Sequence, residues 1–576
     1  MLDIMHLPPG TLMMLGALIV PFVPKKGQAW LALLLPFLSF FHLLQFTDGF
    51  NYHISMLGLD LHPIRVDRLA LIFGYIFHIA AVLSGLYALK VEDAMQHLSG
   101  MVYAGAAIAA VFAGDLISLF VFWELTAISS VFLIWASRTE DALHCGVRYL
   151  LIQVASGVIL LAGAMLHYKE TGSLAFENFL QNGYLTTPTT IILWSFGIKA
   201  AFPFLHNWLQ DAYPKATYSG TVFLSAFTTK LAIYALARGY AGFSFLIPIG
   251  CLMTAFPIFF AVIENDLRKV LAYSLNNQLG FMVVGIGIGT ELAIDGACAH
   301  AFAHIIYKGL LFMCMGAVLY RTGTTKASEL GGLHRSMPYT TIFCIIGGMS
   351  ISAFPLFSGF AAKSLIASAA GYEQMALVTF VLLFASAGVM EHSGIKIPFF
   401  AFFAHDSGKR PEEAPWNMLL AMGIAATICI VIGVFPSALY DLLPNKAFDA
   451  HYNGTYSAYS VTHVVTQLEL LLFAAFAFGI LMRWKAYPPE IPSVNLDFDW
   501  FYRKWMPRFI KDIWDVVDAM YCAGVEILSG RVAKLRRKAL GIFFSPTSIL
   551  GKDVESSMAS LWAAILLVAY LLLYYV

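Results

Sequence analysis

The sequence predicts an all-α polytopic membrane protein of about sixteen transmembrane helices, and three observations predict it. First, 59% of the 576 residues are hydrophobic and only 12% are Asp, Glu, Lys or Arg, against about 45–50% and about 25% in soluble domains. Second, runs near or beyond the ~18 apolar residues of a bilayer-spanning helix recur along almost the whole chain. Third, the basic residues divide unevenly between alternate loops, as they do across a membrane. A soluble body of this length could not cover its surface with so few charges. Lys plus Arg equals Asp plus Glu at 35 each, so net charge points to neither an acidic partner nor a nucleic acid.

In chain order the runs fall near 9–23, 27–46, 69–89, 100–114, 116–136, 148–167, 189–209, 220–238, 244–262, 272–290, 296–320, 340–370, 375–403, 417–437, 466–482 and 558–576. No basic region precedes the first and no A-x-A site follows it, so it is expected to be a span and not a cleaved signal. An even count puts both termini on one side. With the termini outside, the inner segments hold Lys25, Lys26, Lys90, Arg138, Arg148, Lys215, Arg268, Lys269, Arg321, Lys326, Arg335, Lys409, Arg410 and twelve more between 483 and 552. The outer loops hold Arg65, Arg68, Lys169, Arg238 and Lys446, so 25 basic residues lie inside, 5 outside and 5 within spans. One miscounted helix would exchange the sides beyond it and erase the asymmetry. The expected location is the cell (inner) membrane, with both termini on the outer face and 483–557 cytoplasmic.

The expected organisation is N-terminal helices over 1–99, a first inverted repeat over 100–240, a second over 241–405, additional helices over 406–485, a cytoplasmic or interfacial extension over 486–557 and a final span over 558–576. The extension opens with Pro488-Pro489 and carries Arg503, Lys504, Arg508, Lys511, Lys534, Arg536, Arg537 and Lys538. Trp505, Phe509, Ile513, Val516 and Met520 recur at helical spacing between Arg508, Lys511, Asp515 and Asp518, the pattern of an amphipathic helix lying along an interface. A solvated linker and a contact with a partner protein are the other readings of it. The seven cysteines (145, 251, 298, 314, 344, 429 and 522) lie singly with no C-x-x-C, which argues against iron–sulfur, structural zinc and a disulfide framework.

The chemistry lies in ionisable residues inside the apolar runs. A Lys or Glu at mid-membrane costs several kcal/mol (~3 on insertion scales), so it needs a partner, a wet cavity or a function. Glu124 sits in VFWELTAISS, Lys199 in FGIKAAFPF, Lys230 in AFTTKLAIYA, Lys308 in HIIYKGLLFM, Lys363 in FSGFAAKSLI, and Glu391, His392 and Lys396 in VMEHSGIKIPFF. His300, His304 and Lys308 at i, i+4, i+8 form one stripe on one helix face, roughly 12 Å long. Lys199, Lys230 and Lys308 have apolar neighbours on both sides, which disfavours snorkelling; Lys396 lies closer to a cytoplasmic end, where snorkelling competes. His42 and His78 stand alone and read as packed core residues. His300 and His304 have metal-pair spacing, but no Glu follows the first and no third ligand is near, so no metal and no cofactor are expected.

Two spans are interrupted by proline. Pro203 follows Lys199 in K-A-A-F-P-F, and Pro355 precedes Lys363 in S-A-F-P-L-F-S-G. Proline removes an i→i−4 hydrogen bond, and opened backbone at membrane depth is tolerated only beside a cavity or other protein. The two A-F-P triplets are 152 residues apart, and the next buried Lys follows 31 residues after Lys199 and 33 after Lys363. Broken helices at matching places in two halves mark an inverted-repeat transporter, and five helices per repeat put the halves in opposite orientation.

In order, the chain holds W-E-L at 123–125, K-x-x-x-P-F-L-H-N-W-L-Q-D-A at 199–212, L-A-Y-S-x-x-x-Q-x-G at 271–280, H-x-x-x-H-x-x-x-K at 300–308, G-G-L-x-R-S-M-P at 331–338 and G-F-x-x-K at 359–363. This set resembles the antiporter-like proton-translocating subunits shared by respiratory complex I, membrane-bound hydrogenases and Mrp-type multisubunit cation/proton antiporters, over roughly residues 65–405. Lys230 on the eighth span and H-S-G-I-K-I-P-F-F at 392–400 make it most similar to the D-type branch of the Mrp subunits. The departures are Gln210 and Tyr213, where the family usually has Pro and His, and Lys215-Ala-Thr-Tyr-Ser in place of A-P-T-P; the cytoplasmic mouth of the first half is expected to pack differently. The resemblance implies that Glu124 pairs with Lys199, that Lys230 is the central proton-binding lysine, and that His300, His304 and Lys308 continue the axis to Lys363. Glu391, His392 and Lys396 are auxiliary candidates. It implies one component of a multisubunit monovalent cation (Na+)/proton antiporter in the bilayer, with other membrane subunits as partners and protons and Na+ as cargo. The rivals are a pump module of an NADH:quinone oxidoreductase or a membrane-bound hydrogenase, and a solute carrier. With no nucleotide fingerprint and no cluster ligands, any redox chemistry belongs to partners.

Overall fold

The computed structural model describes residues 4–56, 58–449, 454–492, 495–528, 538, 540–541 and 556–575. It divides into two compact units, Met1–Asn495 and Leu496–Val576. A helix occupies each of the sixteen apolar stretches. Among the described residues, ten helices are individually long and apolar enough to cross a membrane, while Thr11–Phe22, Pro338–Ile351 and Ser560–Leu571 are shorter apolar helices.

The helices of the first unit are α1 (Thr11–Ala17), α2 (Lys25–Leu43), α3 (Arg68–Tyr87), α4 (Ala94–Phe112), α5 (Leu116–Trp135), α6 (Glu140–Thr171), the broken α7 (Thr187–Lys199) and α8 (Asn207–Ala212), and the interrupted α9 (Gly220–Ala226) and α10 (Thr228–Gly239). Then follow α11 (Leu246–Ile263), α12 (Leu267–Ile288), α13 (Glu291–Thr322), the broken α14 (Pro338–Ile351) and α15 (Ser358–Tyr372), and α16 (Ala376–Val389), which runs on through π turns at Met390–Ile395 and Phe399–Phe403. Helices Trp416–Val434 and Val461–Arg483 complete the unit. Aspartates start many of the spans. The carboxylates of Asp67, Asp93, Asp115 and Asp266 accept amides in the first turns of α3, α4, α5 and α12, satisfying donors that have no intrahelical partner.

The two halves repeat at an offset of about 151 residues. Helices α6 and α13 are both 32 residues long, Thr139 and Thr290 cap their starts, and Gly172 (φ 70°) and Gly323 (φ 76°) end them in the left-handed region. The same offset relates the isolated bridges Asp115–Ala175 and Asp266–Lys326. Loops assigned to one side by charge also meet one another. Arg238 forks onto Asp67 at 2.7 and 2.8 Å, whereas Lys215 meets Asp141, Arg148 meets Asp211 and Arg335 meets Asp406.

Among the described residues, two strand pairs in loops depart from an all-helical chain. An antiparallel ribbon pairs β1 (Asn51–Met56) with β2 (Leu59–Arg65), and Phe448–Asp449 pairs with Gly454–Thr455. In the second unit, α-helix Met506–Leu528 covers the predicted amphipathic stretch, with Trp505 and Phe509 rings stacked at 4.9 Å and both exposed. Most of the basic run 534–538 and the Cys522 side chain lie outside the described residues.

Candidate functional site: a buried row of ionisable residues

The helices that carry the candidate residues form the interior. The apolar windows of Gly220–Gly239 and Glu291–Thr322 are 100% and 94% buried, against 11% for Val461–Arg483, so Lys230, His300, His304 and Lys308 sit among protein and away from lipid.

Both proline breaks have one geometry. Phe202 N donates to Gly197 O (2.9 Å) and Ala201 N to Ile198 O (3.2 Å); Phe354 N donates to Met349 O (3.0 Å) and Ala353 N to Ser350 O (3.0 Å). Ala201 and Ala353 both have φ 59°, and the residues after the prolines, Phe204 and Leu356, have φ 70° and 74°. Left-handed non-glycine residues cost roughly 1–2 kcal/mol each, and four of them at equivalent places show that the surrounding fold holds both breaks open. The freed carbonyls have takers. Lys363 Nζ, from beyond its break, donates to Ile351 O at 2.7 Å, and its ammonium lies 5.0 Å from the Phe281 ring centroid.

Lys199 departs from the implied pairing. Its ammonium donates to Trp123 O (2.6 Å) and Thr126 Oγ1 (3.1 Å) and lies 4.4 Å from the Trp123 ring centroid. Glu124 is its electrostatic neighbour, but its Oε1 has no hydrogen-bond partner. Its carboxylate lies against Gly157 of α6, where an added Cβ would stand 1.5 Å from Oε1. The direct Glu124–Lys199 ion pair is therefore corrected to two neighbouring charges, with the ammonium held by Trp123 and Thr126 and not by the carboxylate. The reason is geometric: Trp123 and Thr126 flank Glu124 and intercept the ammonium, while the carboxylate uses space that only glycine leaves.

Between Lys199 and Lys230 the polar groups are hydroxyls. Ser130, one turn beyond Thr126, is 2.9 Å from Tyr149 OH, and Tyr103 OH is 2.6 Å from Thr228 Oγ1 while accepting the Thr228 amide at 2.9 Å. Lys230 follows directly. Its ammonium donates to Ser225 O at 2.5 Å across the interruption between α9 and α10. No proline marks that interruption, so the sequence predicts one continuous span there.

Beyond Lys230, His304 interacts electrostatically with Lys230, Lys308, His300 and Lys363. His300 Nε2 is 3.1 Å from Gln278 Oε1 and 2.9 Å from Tyr307 OH, whereas both ring nitrogens of His304 and the Lys308 ammonium have no hydrogen-bond partner. Unpartnered buried donors of this kind are where bridging water belongs. A cavity of about 220 Å³ opens beside Lys363, walled partly by Phe281, Ser368, Thr379, Ser386, His463 and Gln467. Sequence reading missed Tyr103, Tyr149, Thr228, Tyr307, His463 and Gln467, because a hydroxyl or amide in a span has no spacing signature.

Lys396 does not snorkel. Its side chain is 0% exposed and its Nζ is 2.9 Å from Glu490 Oε1. His392 Nδ1 meets Ser393 Oγ at 2.8 Å; Glu391 is half-buried. His42 and His78 are buried with structural bonds to Ile4 O and to Ser39 Oγ and Gly74 O. At the departing segment, Gln210 and Tyr213 are buried, and Arg268 donates to the carbonyls of Pro214, Ala216 and Thr217. Residues 213–217 are thus wrapped around a buried guanidinium.

Residues 113–390 match the sequence model of a family described as NADH:quinone oxidoreductase/Mrp antiporter, transmembrane. The chain is similar to the A-type Na(+)/H(+) antiporter subunit of Alkalihalophilus pseudofirmus, 30% identical over 501 residues, covering 75% of this chain and 61% of that protein. It is 26% identical to hydrogenase-4 component B of Escherichia coli, covering 65% of this chain and 63% of that protein. The chain therefore spans a little over three fifths of these relatives. Its fold is that of a chain in the membrane-bound sulfane sulfur reductase, an archaeal respiratory membrane complex, with a TM-score of 0.72, 21% identity and coverage of 98% and 100%. Through residues 113–390 and the twice-broken repeat they build, the chain is similar to the NADH:quinone oxidoreductase/Mrp antiporter transmembrane family.

Proposed function

We propose that this chain is the proton-translocating, antiporter-like component of a multisubunit Mrp-type Na+/H+ antiporter. One observation carries the reading: Glu124 and Lys199 are electrostatic neighbours, Lys230, His300, His304, Lys308 and Lys363 form a second such group, and buried hydroxyls, among them Thr126, Tyr103 and Thr228, accompany them. The 30% identity to the A-type Na(+)/H(+) antiporter protein supports the Mrp assignment. In this reading residues 100–240 carry the gate, 241–405 the relay, and 486–557 lie on the cytoplasmic face with both termini outside. The partners are other membrane subunits, and the cargo is protons and Na+.

Lys199 is the moving part. Its ammonium is held by one carbonyl and one hydroxyl, ligands that it can exchange for water. When it leaves Trp123 and approaches Lys230, two like charges brought to about 7 Å at an effective dielectric of about 20 repel by ~2 kcal/mol. That repulsion expels a proton from Lys230 toward His304. Neutral imidazoles accept and release it, and Lys363 delivers it to the cavity beside His463. When Lys199 returns to its ligands near Glu124, Lys230 reloads. Lys230→Ala and Glu124→Ala are expected to abolish proton/sodium exchange and growth in high sodium or alkaline medium while the complex assembles. Intact exchange in either variant overturns the reading.

A second reading, a pump module of a redox complex, is favoured by the 26% identity to hydrogenase-4 component B. Co-purification of iron–sulfur or flavin subunits in place of small hydrophobic antiporter subunits would select it.

A further inference from the structure

Lys396 lies beyond the residues matched by the family model, and so does the segment that reaches it. After helix Val461–Arg483 the chain turns back, and Pro488-Pro489, with two fixed φ angles, presents Glu490 to Lys396 at 2.9 Å, the two side chains 6% and 0% exposed. Carbonyls of Ala261 (3.3 Å), Val262 (2.6 Å) and Glu264 (2.7 Å), at the end of α11, surround the same ammonium. The lysine is over-supplied with acceptors. The glutamate is short of donors: Lys396 approaches its Oε1, and its Oε2 has no hydrogen-bond partner.

The carboxylate belongs to a row that reaches solvent. Glu264 is the electrostatic neighbour of Glu490; its Oε2 is 2.8 Å from Lys269 Nζ, a side chain 30% exposed, and 3.0 Å from Asn495 Nδ2. In the other direction, one turn before Lys396, His392 is fully buried with Nε2 unpartnered, and it interacts electrostatically with Lys396, Lys308 and Lys363. The π turn at Met390–Ile395 carries this histidine, and such turns inside α-helices concentrate at functional sites. A buried ion pair is weak evidence for stability, because desolvation offsets its attraction. A pair with an open lone pair on one side and an open imidazole on the other is suited to exchanging protons.

We infer that Glu490 is a proton-exchange residue: the strap at 484–492 forms a second inlet, joining the loop face at Glu264 and Lys269 to Lys396, His392 and Lys308. The inference rests on the proton-translocation reading above. In the transfer, Lys396 gives a proton through water to His392 Nε2 and takes the next from the Glu490 carboxyl. The carboxylate left behind is reprotonated from the loop face by way of Glu264.

The test uses the assembled complex in proteoliposomes, with exchange followed by a pH-sensitive dye under a sodium gradient. Glu490→Gln is expected to slow exchange at least about tenfold, and Glu490→Asp, which keeps the proton carrier, to stay within about threefold of wild type. Removing both charges in Lys396→Met/Glu490→Gln separates folding from transport. That variant is expected to assemble as wild type and still exchange at least about tenfold more slowly. Wild-type exchange by the double variant, or its failure to assemble, makes the pair a structural clamp and overturns the inference. Lys230→Ala runs in parallel: if it is dead while the Glu490 variants are normal, only the inlet fails, and if it too is normal the function itself fails.

Discussion

Glycine 157 provides the sharpest test of where the Glu124 charge must sit. A Cβ added there would stand 1.5 Å from Glu124 Oε1, 2.4 Å from its Cδ and 3.0 Å from its Cγ. Restoring ordinary contact in Gly157→Ala pushes the carboxylate back by roughly 2 Å. In the helix interior alanine is favoured over glycine by about 1 kcal/mol, while overpacking costs about 1–3 kcal/mol. The net cost is about 0–2 kcal/mol, small enough that the protein is expected to assemble. The electrostatic effect survives that balance. If the displacement carries the carboxylate from about 5 to about 7 Å from the Lys199 ammonium, it removes ~1 kcal/mol at an effective dielectric of about 20. A loss of that size in the attraction between Glu124 and Lys199 slows exchange about fivefold. Glu124→Asp in the same background shortens the side chain by one methylene and is expected to recover part of the rate. The assay is dye-reported exchange normalised to the amount of assembled protein. Gly157→Ala exchanging at the wild-type rate and wild-type abundance would refute the placement argument, whatever Glu124→Ala does.

Two further outcomes follow from the geometry. Tyr103→Phe removes the acceptor of the Thr228 amide beside the α9–α10 interruption, and an unsatisfied buried donor costs about 1–3 kcal/mol. Thermal unfolding of the purified complex should shift down and exchange should slow; unchanged values for both would remove Tyr103 from the row. On the loop after α16, hydrogen bonds from Arg410, and then the Gly408 amide, hold the Asp406 carboxyl well below the usual carboxylate range. Because the folded value is depressed, the contact is present above the ordinary carboxylate value and is lost only as pH falls through the lowered one. Arg410→Ala should therefore speed amide exchange of Gly408 at about pH 4 relative to wild type, and equal exchange would sink the assignment.

The helices were legible because each apolar run must cover itself in lipid, and burial in hydrocarbon allows few other backbone choices. Lys230, Lys308 and Lys363 stood out for the converse reason, that an ammonium among apolar neighbours is costly. The proline breaks were legible at 203 and 355. The interruption beside Lys230 was not, because Phe227 and Thr228 carry no backbone signal and tertiary packing opens that turn. Glu490 was read only as part of an amphipathic extension, since nothing in Y-P-P-E tells that it folds back onto a residue 94 positions earlier.

By itself, then, the amino-acid order determined the membrane class, the positions of the spans, the offset between the two A-F-P breaks and the buried charges, all of which follow from solvation and local backbone chemistry. Only the tertiary structure decided the partners of those charges: Lys199 on the Trp123 carbonyl instead of on Glu124, Lys230 on Ser225, and Lys396 on Glu490. Solvation is a property of each segment alone, whereas a hydrogen bond depends on which helices the fold brings within about 3 Å of one another.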